Sequence, residues 1–291
     1  MPSLKAIRKR IASVKSTQKI TRAMKMVAAA RLRRAQQRIS ELRLYALRLG
    51  EIVHHIATRL DREQDVPELL TVRPEKSILL VVIGSERGLA GAFNANIHRA
   101  AERKIREWQS EGKSVSIVTI GKKPREYFRR RKADIVQEVA GLSEKTELLN
   151  ANEVASMLID HYLAVPSVHD AVYVIFNEFK SAISQKTTIE RLFPVQPEQL
   201  PHGSTTFDYI YEPTKKELLE SIVPMYAQIT IYRQMLESVA SEFGARMTAM
   251  GAATDNAKEL ISKLTLDYNR ARQASITKEL MEIIGGAEAL K

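Results

Sequence analysis

The chain has 291 residues, no cysteine, and a formal charge of +11 at neutral pH. Without cysteine there is no disulfide, no thiolate nucleophile and no sulfur-ligated zinc site. The longest aliphatic run, Ile78 to Ile83, falls far short of the ~20 residues that cross a bilayer, so no integral membrane span is expected.

The N-terminus reads as one long helix. Apolar residues recur at Leu4, Ile7, Ile11, Val14, Ala28, Leu32, Ala35, Ile39, Leu42, Ala46, Leu49, Val53, Ile56 and Leu60, alternating steps of three and four. That is the seam of a coiled coil. Ser3 is placed to cap it. Three successive seam positions, Gln18, Thr21 and Lys25, are polar, so a local loosening of the seam is expected there. The positive charge belongs to this helix, because residues 1–48 set many Lys and Arg against the single acid Glu41. Such a stripe fits a transit peptide, a zipper-type nucleic-acid reader, or a surface facing an acidic protein partner. The third reading is preferred, because the basic residues alternate with the seam instead of forming a separate extension.

A polar link over 61–75, with Pro67 and Pro74, follows the helical segment 1–60. The period then changes. Strands are expected at 77–83, 115–120, 134–139, 171–177, 187–193 and 206–211, with helices at 93–111, 122–131 and 147–164. Alternating strands and helices followed by a hairpin imply a small Rossmann-like α/β domain over 76–212 with a mostly parallel sheet. The turn holding Gly84, Gly88 and Gly91 lies between a strand and a helix, where phosphate can bind. Its spacing matches neither a dinucleotide fingerprint nor a Walker loop, so a structural turn is expected. The histidines are scattered, and His54 and His55 point to different sides of one helix. No catalytic, cofactor-binding or metal-binding residue is assigned, and an enzyme acting alone is not expected.

The C-terminal segment 213–291 reads as a second, longer helix. From Ile222 to Ser275 the same stepping is broken only by Arg233, Thr254 and the final Ser275. No proline follows Pro224, so the helix can run to Gly285–Gly286. Two seams at opposite ends of one chain imply an antiparallel coiled coil with the α/β domain inserted between them. With Met24 opposite about residue 246, the second helix outruns the first and leaves Ile276, Leu280, Met281, Ile283, Ile284 and Leu290 without an internal partner. An apolar helix of that kind needs to be enclosed by another protein.

The stretches "IRKRIASVKSTQKITRAMKMVAAARLRRAQ" and "ARMTAMGAATDNAKELISKLTLDYNRARQASITKELMEIIGGAEAL" resemble the γ subunits of F-type ATP synthases. "SERGLAGAFNANI" and "FDYIYEP" are similar to internal stretches of that family. The resemblance implies a non-catalytic central rotor shaft, without a cofactor, threading a hexamer of three α and three β subunits. The α/β foot would meet the ε subunit and the membrane-embedded c-ring. Carried over by position, Met24, Lys25 and Arg246 fall at the β lever loops. Arg272 and Gln273 fall at a polar catch, followed by Thr277 and Glu279, and Tyr209 falls on the ring-facing foot. The implied location is peripheral, on the cytoplasmic face of the bacterial inner membrane. The regulatory cysteine pair of plastid versions is missing. A basic coiled-coil nucleic-acid-binding protein is the alternative reading.

Overall fold

The computed structural model describes residues 3–58, 66–139, 148–164, 169–196, 212 and 214–288. The expected strand at 206–211, with Tyr209, and the expected apolar residues Leu60 and Leu290 lie outside these. The elements are α1 (Leu4–Ala57), β1 (Ser77–Ile83), α2 (Phe93–Ser110), β2 (Ser114–Ile120), α3 (Lys122–Arg130), β3 (Ile135–Val139), α4 (Leu148–Leu163), β4 (Ala171–Phe179), β5 (Gln185–Phe193) and α5 (Lys215–Glu288). Two long terminal helices thus flank a small α/β domain, the fold expected from the sequence. The chain forms two compact units, Met1–Ala28 with Arg246–Lys291, and Ala29–Ala245.

The terminal helices begin where capping chemistry allows. Ser3 Oγ accepts the Ala6 amide at 3.3 Å, and Thr214 Oγ1 accepts that of Glu217 at 3.2 Å. Pro224 lies inside α5, where its missing N–H weakens an isolated helix. Its neighbours Val223 and Ala227 are fully buried, so packing holds the turn.

In the larger unit the sheet order is β3-β2-β1-β4-β5, with β5 antiparallel to β4 and the other pairings parallel. The antiparallel edge pair is thus β4 with β5, whereas the hairpin expected of 187–193 with 206–211 has its second strand outside the described residues. Helices cover both faces, as a parallel sheet requires. Leu79, Val81 and Ile83 of β1 pack in one core with Val154, Leu158 and Tyr162 of α4, Val53 and Ile56 of α1, and Val223 and Ile231 of α5. Ile78, Leu80 and Val82 point the other way, into a core with Ile97 and Trp108 of α2 and Phe128 of α3. Each such fully buried side chain contributes ~1.5–3 kcal/mol of transfer energy. Within this unit α1 and α5 run antiparallel. Arg31 stacks over Phe243, Tyr45 Oη donates to Met225 Sδ at 3.3 Å, and Gly50 faces the Tyr226 ring.

The glycine turn is folded onto its own chain. Asn94 Oδ1 accepts the Ser85 amide at 3.1 Å, and Ser85 Oγ donates to the Arg87 carbonyl at 2.7 Å. Gly121, at φ 103°, lets β2 pass against the Gly84 carbonyl, where any Cβ would lie at 2.5 Å. The carboxyl end of β4 is covered as well. Asn177 donates from its side chain to the Phe93 carbonyl, and its own carbonyl accepts Ser241 Oγ of α5 at 2.8 Å. Open α/β sheets commonly bind ligands at such strand ends. Here α5 takes that place.

His98 of α2 is buried, stacked on Tyr127 with centroids 4.0 Å apart. Burial, aided by Arg131 and opposed by Glu102, lowers its pKa from 6.5 to about 4. The unfolded chain therefore binds this proton more readily, and stability falls as pH drops from about 6.5 towards 4. The loss from this group is at most ~3 kcal/mol, from 1.36 kcal/mol per pKa unit. Thermal melting of the purified chain over this range should show His98→Phe losing less stability on acidification than the parent; equal losses would place the acid sensitivity elsewhere.

Candidate functional site

The functional residues expected from the sequence lie mainly in the smaller unit, where residues 4–28 of α1 pair antiparallel with the later part of α5. Small side chains allow close approach. Ala28 is 1% exposed, and Met250, Ala257 and Leu264 are buried from the α5 side. At the expected loosening the helices instead make a tight polar crossing. Thr21 is buried, with its Oγ1 2.8 Å from Thr254 Oγ1. Thr254 Oγ1 also lies 2.7 Å from the Met250 carbonyl, within donating range. Lys25, an exposed residue, lays its side chain over Gly251, with Nζ 3.5 Å and Cε 3.7 Å from where a Cβ would stand. Gln18 is half-buried. Of the three polar seam positions only Thr21 is buried, so the expected loosening is bridged at one point by a hydroxyl pair.

The register also differs from expectation. Met24 was set opposite about residue 246, yet Thr21 meets Thr254 and Lys25 covers Gly251. The second helix is displaced by roughly one turn. Cysteines at Thr21 and Thr254 should therefore form an intrachain disulfide under mild oxidant, far faster than a pair at Met24 and Arg246. The reverse order, read by mobility on a non-reducing gel, would contradict the observed register.

Beyond this crossing the pairing thins out. A half-open groove of about 610 Å³, lined by Ala6, Ile7 and Arg10 of α1 and Leu264, Ala271 and Ala274 of α5, lies near the start of α1. From Ile276 to Gly286 every residue of α5 is exposed. Ile276, Leu280, Met281, Ile283 and Ile284 are 50–68% exposed. Spacings of four, seven and eight from Ile276 place Leu280, Ile283 and Ile284 on one stripe with it.

The expected coupling residues separate into groups along this unit. Met24 and Arg246 are half-buried and Lys25 is exposed near the polar crossing. Arg272, Gln273, Thr277 and Glu279 are exposed near the free end of α5. Thr277 Oγ1 donates to the Gln273 carbonyl at 3.0 Å, and Ser275 Oγ donates to Glu279 Oε1 at 3.2 Å. Arg272 makes no ion pair with any described residue, so its guanidinium faces water. Every Lys and Arg of α1 is exposed, so the positive stripe is available at the surface. Sequence reasoning missed the Thr21–Thr254 pair as a contact. Its signal was present, since each residue interrupts an otherwise apolar seam.

A helix end whose apolar residues stand bare beside an exposed basic stripe marks a subunit of a larger assembly. A family model described as ATP synthase matches residues 3–290. The chain is 48% identical to the ATP synthase gamma chain of Sorangium cellulosum and 48% identical to that of Geobacter metallireducens, covering 100% of each chain in both comparisons. In fold it is similar to a chain in the rotor of Euglena gracilis mitochondrial ATP synthase, with TM-score 0.66 and 20% identity, covering 94% of this chain and 98% of that one. The chain belongs to the ATP synthase gamma-chain family, whose members form the non-catalytic central rotor shaft of the enzyme. This membership gives no support to the nucleic-acid-binding alternative. No helix among the described residues is long and apolar enough to cross a membrane.

Proposed function

We propose that the helical pair turns inside a hexamer of three α and three β subunits, while the α/β domain rides on ε and the c-ring of a bacterial inner membrane. The observation that carries this reading is the bare stripe Ile276, Leu280, Ile283 and Ile284. In water such a stripe is a liability, and in an apolar collar it becomes a bearing surface. The exposed basic stripe of α1 supplies a field complementary to acidic loops of β.

A single shaft in a threefold ring presents a different side to each β subunit. The three catalytic sites therefore hold different conformations at any moment, and rotation passes each conformation to the next site. Met24, Lys25 and Arg246 would meet the β lever loops. Arg272 and Gln273 would engage the catch, with Thr277 and Glu279 beside it, and Tyr209 would lie towards the ring. The nucleotide chemistry belongs to β and the ion path to the membrane sector. This chain passes torque between them, on the cytoplasmic face of the membrane. The test is co-expression with α, β and ε subunits and affinity purification through a tag on this chain. Recovery of an ATPase holding one copy of this chain per three β supports the reading; recovery of this chain alone overturns it.

A further inference from the structure

Arg233 is the one charged residue in the apolar stepping of α5, and a seam of packed apolar residues offers no reason for it. In the structure Arg233 does not serve the seam. Its Nη2 donates to Glu190 Oε2 of β5 at 2.6 Å, and its Nη1 donates to Glu237 Oε1 at 3.1 Å. Next to it, Gln234 is fully buried and donates from Nε2 to the same Glu190 oxygen at 2.9 Å. Two successive residues of α5 thus grip one carboxylate oxygen on the β4–β5 hairpin. Burial opposes the Arg233 charge, but Glu190 and Glu237 outweigh it and hold its pKa above the ordinary arginine value.

The same side of α5 continues to engage the hairpin. Ser241 Oγ donates to the Asn177 carbonyl at 2.8 Å, and Asn177 Oδ1 accepts Thr187 Oγ1 at 2.7 Å. Gly244 runs so close to the turn after β4 that a Cβ would stand 3.3 Å from Ala182 Cα and from its carbonyl oxygen. Apolar packing is non-directional, so a helix held only by its greasy face can roll about its axis under load. Hydrogen bonds to fixed acceptors are directional, and charge-assisted ones are the stronger kind.

We propose that Arg233, Gln234 and Ser241 of α5, gripping Glu190 and Asn177 of the β4–β5 hairpin, form the torque-bearing key that fixes the rotational phase of α5 against the α/β domain. The key rests on the rotor reading given above. Arg233 and Gln234 are positioning residues, touching neither nucleotide nor transported ion. Breaking the key lets the α/β domain turn out of phase with the helix, so that ion flow and ATP turnover lose their fixed ratio while each continues.

The test uses the complete membrane complex in vesicles, with ATP hydrolysis and ion pumping measured on the same preparation. The paired substitution Arg233→Met with Gln234→Leu is expected to leave hydrolysis at or above the parent rate and to lower ions pumped per ATP severalfold. The charge swap Arg233→Glu with Glu190→Arg, made together with Glu237→Gln so that the new carboxylate faces no like charge, is expected to restore most of that ratio. Should the paired variant fail to assemble, Glu190→Gln keeps the shape of the acceptor and is expected to give a milder fall in the same ratio. An unchanged ratio in whichever variant assembles, or a swap that restores nothing, overturns the key. Failure of the rotor reading itself shows differently, because the parent chain would then not purify with an ATPase at all.

Discussion

Replacing Ile276, Leu280 and Ile283 by aspartate is expected to weaken assembly of the complex at least a hundredfold without disturbing the fold of the chain. All three side chains are half or more exposed in the free chain, so their loss costs little in folding. Enclosed in a collar, each would contribute ~1.5–3 kcal/mol of transfer energy, and three carboxylates would have to be desolvated in their place. Association energies do not sum simply, but a loss of ~2.7 kcal/mol already corresponds to a hundredfold. Aspartate is a weaker helix former than the residues it replaces. Glutamine at the same positions therefore serves as a control for helix content, and should weaken assembly less. Native mass spectrometry of co-expressed subunits reads the outcome. Complexes of parental stability from the aspartate variant would show that the stripe meets nothing in the assembly.

Arg272→Glu is expected to reduce ATP turnover roughly tenfold in an assembled complex, or to reduce ions pumped per ATP by a similar factor. Arg272 is exposed near the free end of α5 and pairs with no described residue of its own chain. A guanidinium suits two-point recognition of a carboxylate, so an acidic catch on β is the expected acceptor. Rotation requires that pair to form on one β and break before the next. The contact must therefore be modest, because a deeply buried pair costs several kcal/mol to break and would act as a brake. Reversal turns attraction into repulsion. A change of ~1.4 kcal/mol in the barrier gives the tenfold effect. Helix content should not change, since glutamate is also a good helix former. Hydrolysis and pumping at parental values would remove Arg272 from the coupling path.

Much of the fold was legible because two periodicities carry it. The three-and-four stepping located both long helices, aliphatic runs located the parallel strands, and apolar alternation through Ile189 and Leu192 located β5. The seam positions Ile7, Ala28, Leu32, Ala35, Leu236, Ala240, Ala257 and Leu264 are all buried as the stepping requires. The register was less legible, for a physical reason. A repeating apolar seam is nearly self-similar after a shift of one turn, so hydrophobic matching alone cannot distinguish neighbouring alignments. What distinguishes them here is one hydroxyl pair, Thr21 with Thr254, whose members look like separate interruptions in the sequence. Arg233 gives the same lesson. Its position in the seam was visible, but its acceptor Glu190 lies on a strand that no local pattern connects to α5.

The candidate site was legible in another sense. Charge placement gave the exposed basic stripe, a property of one helix, and the difference in length of the two paired seams gave the bare apolar end. The individual coupling residues came from resemblance, since nothing in the chain distinguishes Arg272 from any other exposed arginine. Their roles depend on surfaces that other subunits supply.

The most direct measurement is made on a single complex. The α and β subunits are fixed to a surface through tags on β, and a bead is attached through biotin on a cysteine introduced at Lys132. The native chain has no cysteine, and Lys132 is an exposed residue of the α/β domain, so within this chain labelling is confined to the chosen point; partner subunits are used with their cysteines replaced. With ATP added, the bead should turn in one direction with three dwells per revolution, one for each β. A bead that stays still, or only jitters, while the same complexes hydrolyse ATP would contradict the shaft.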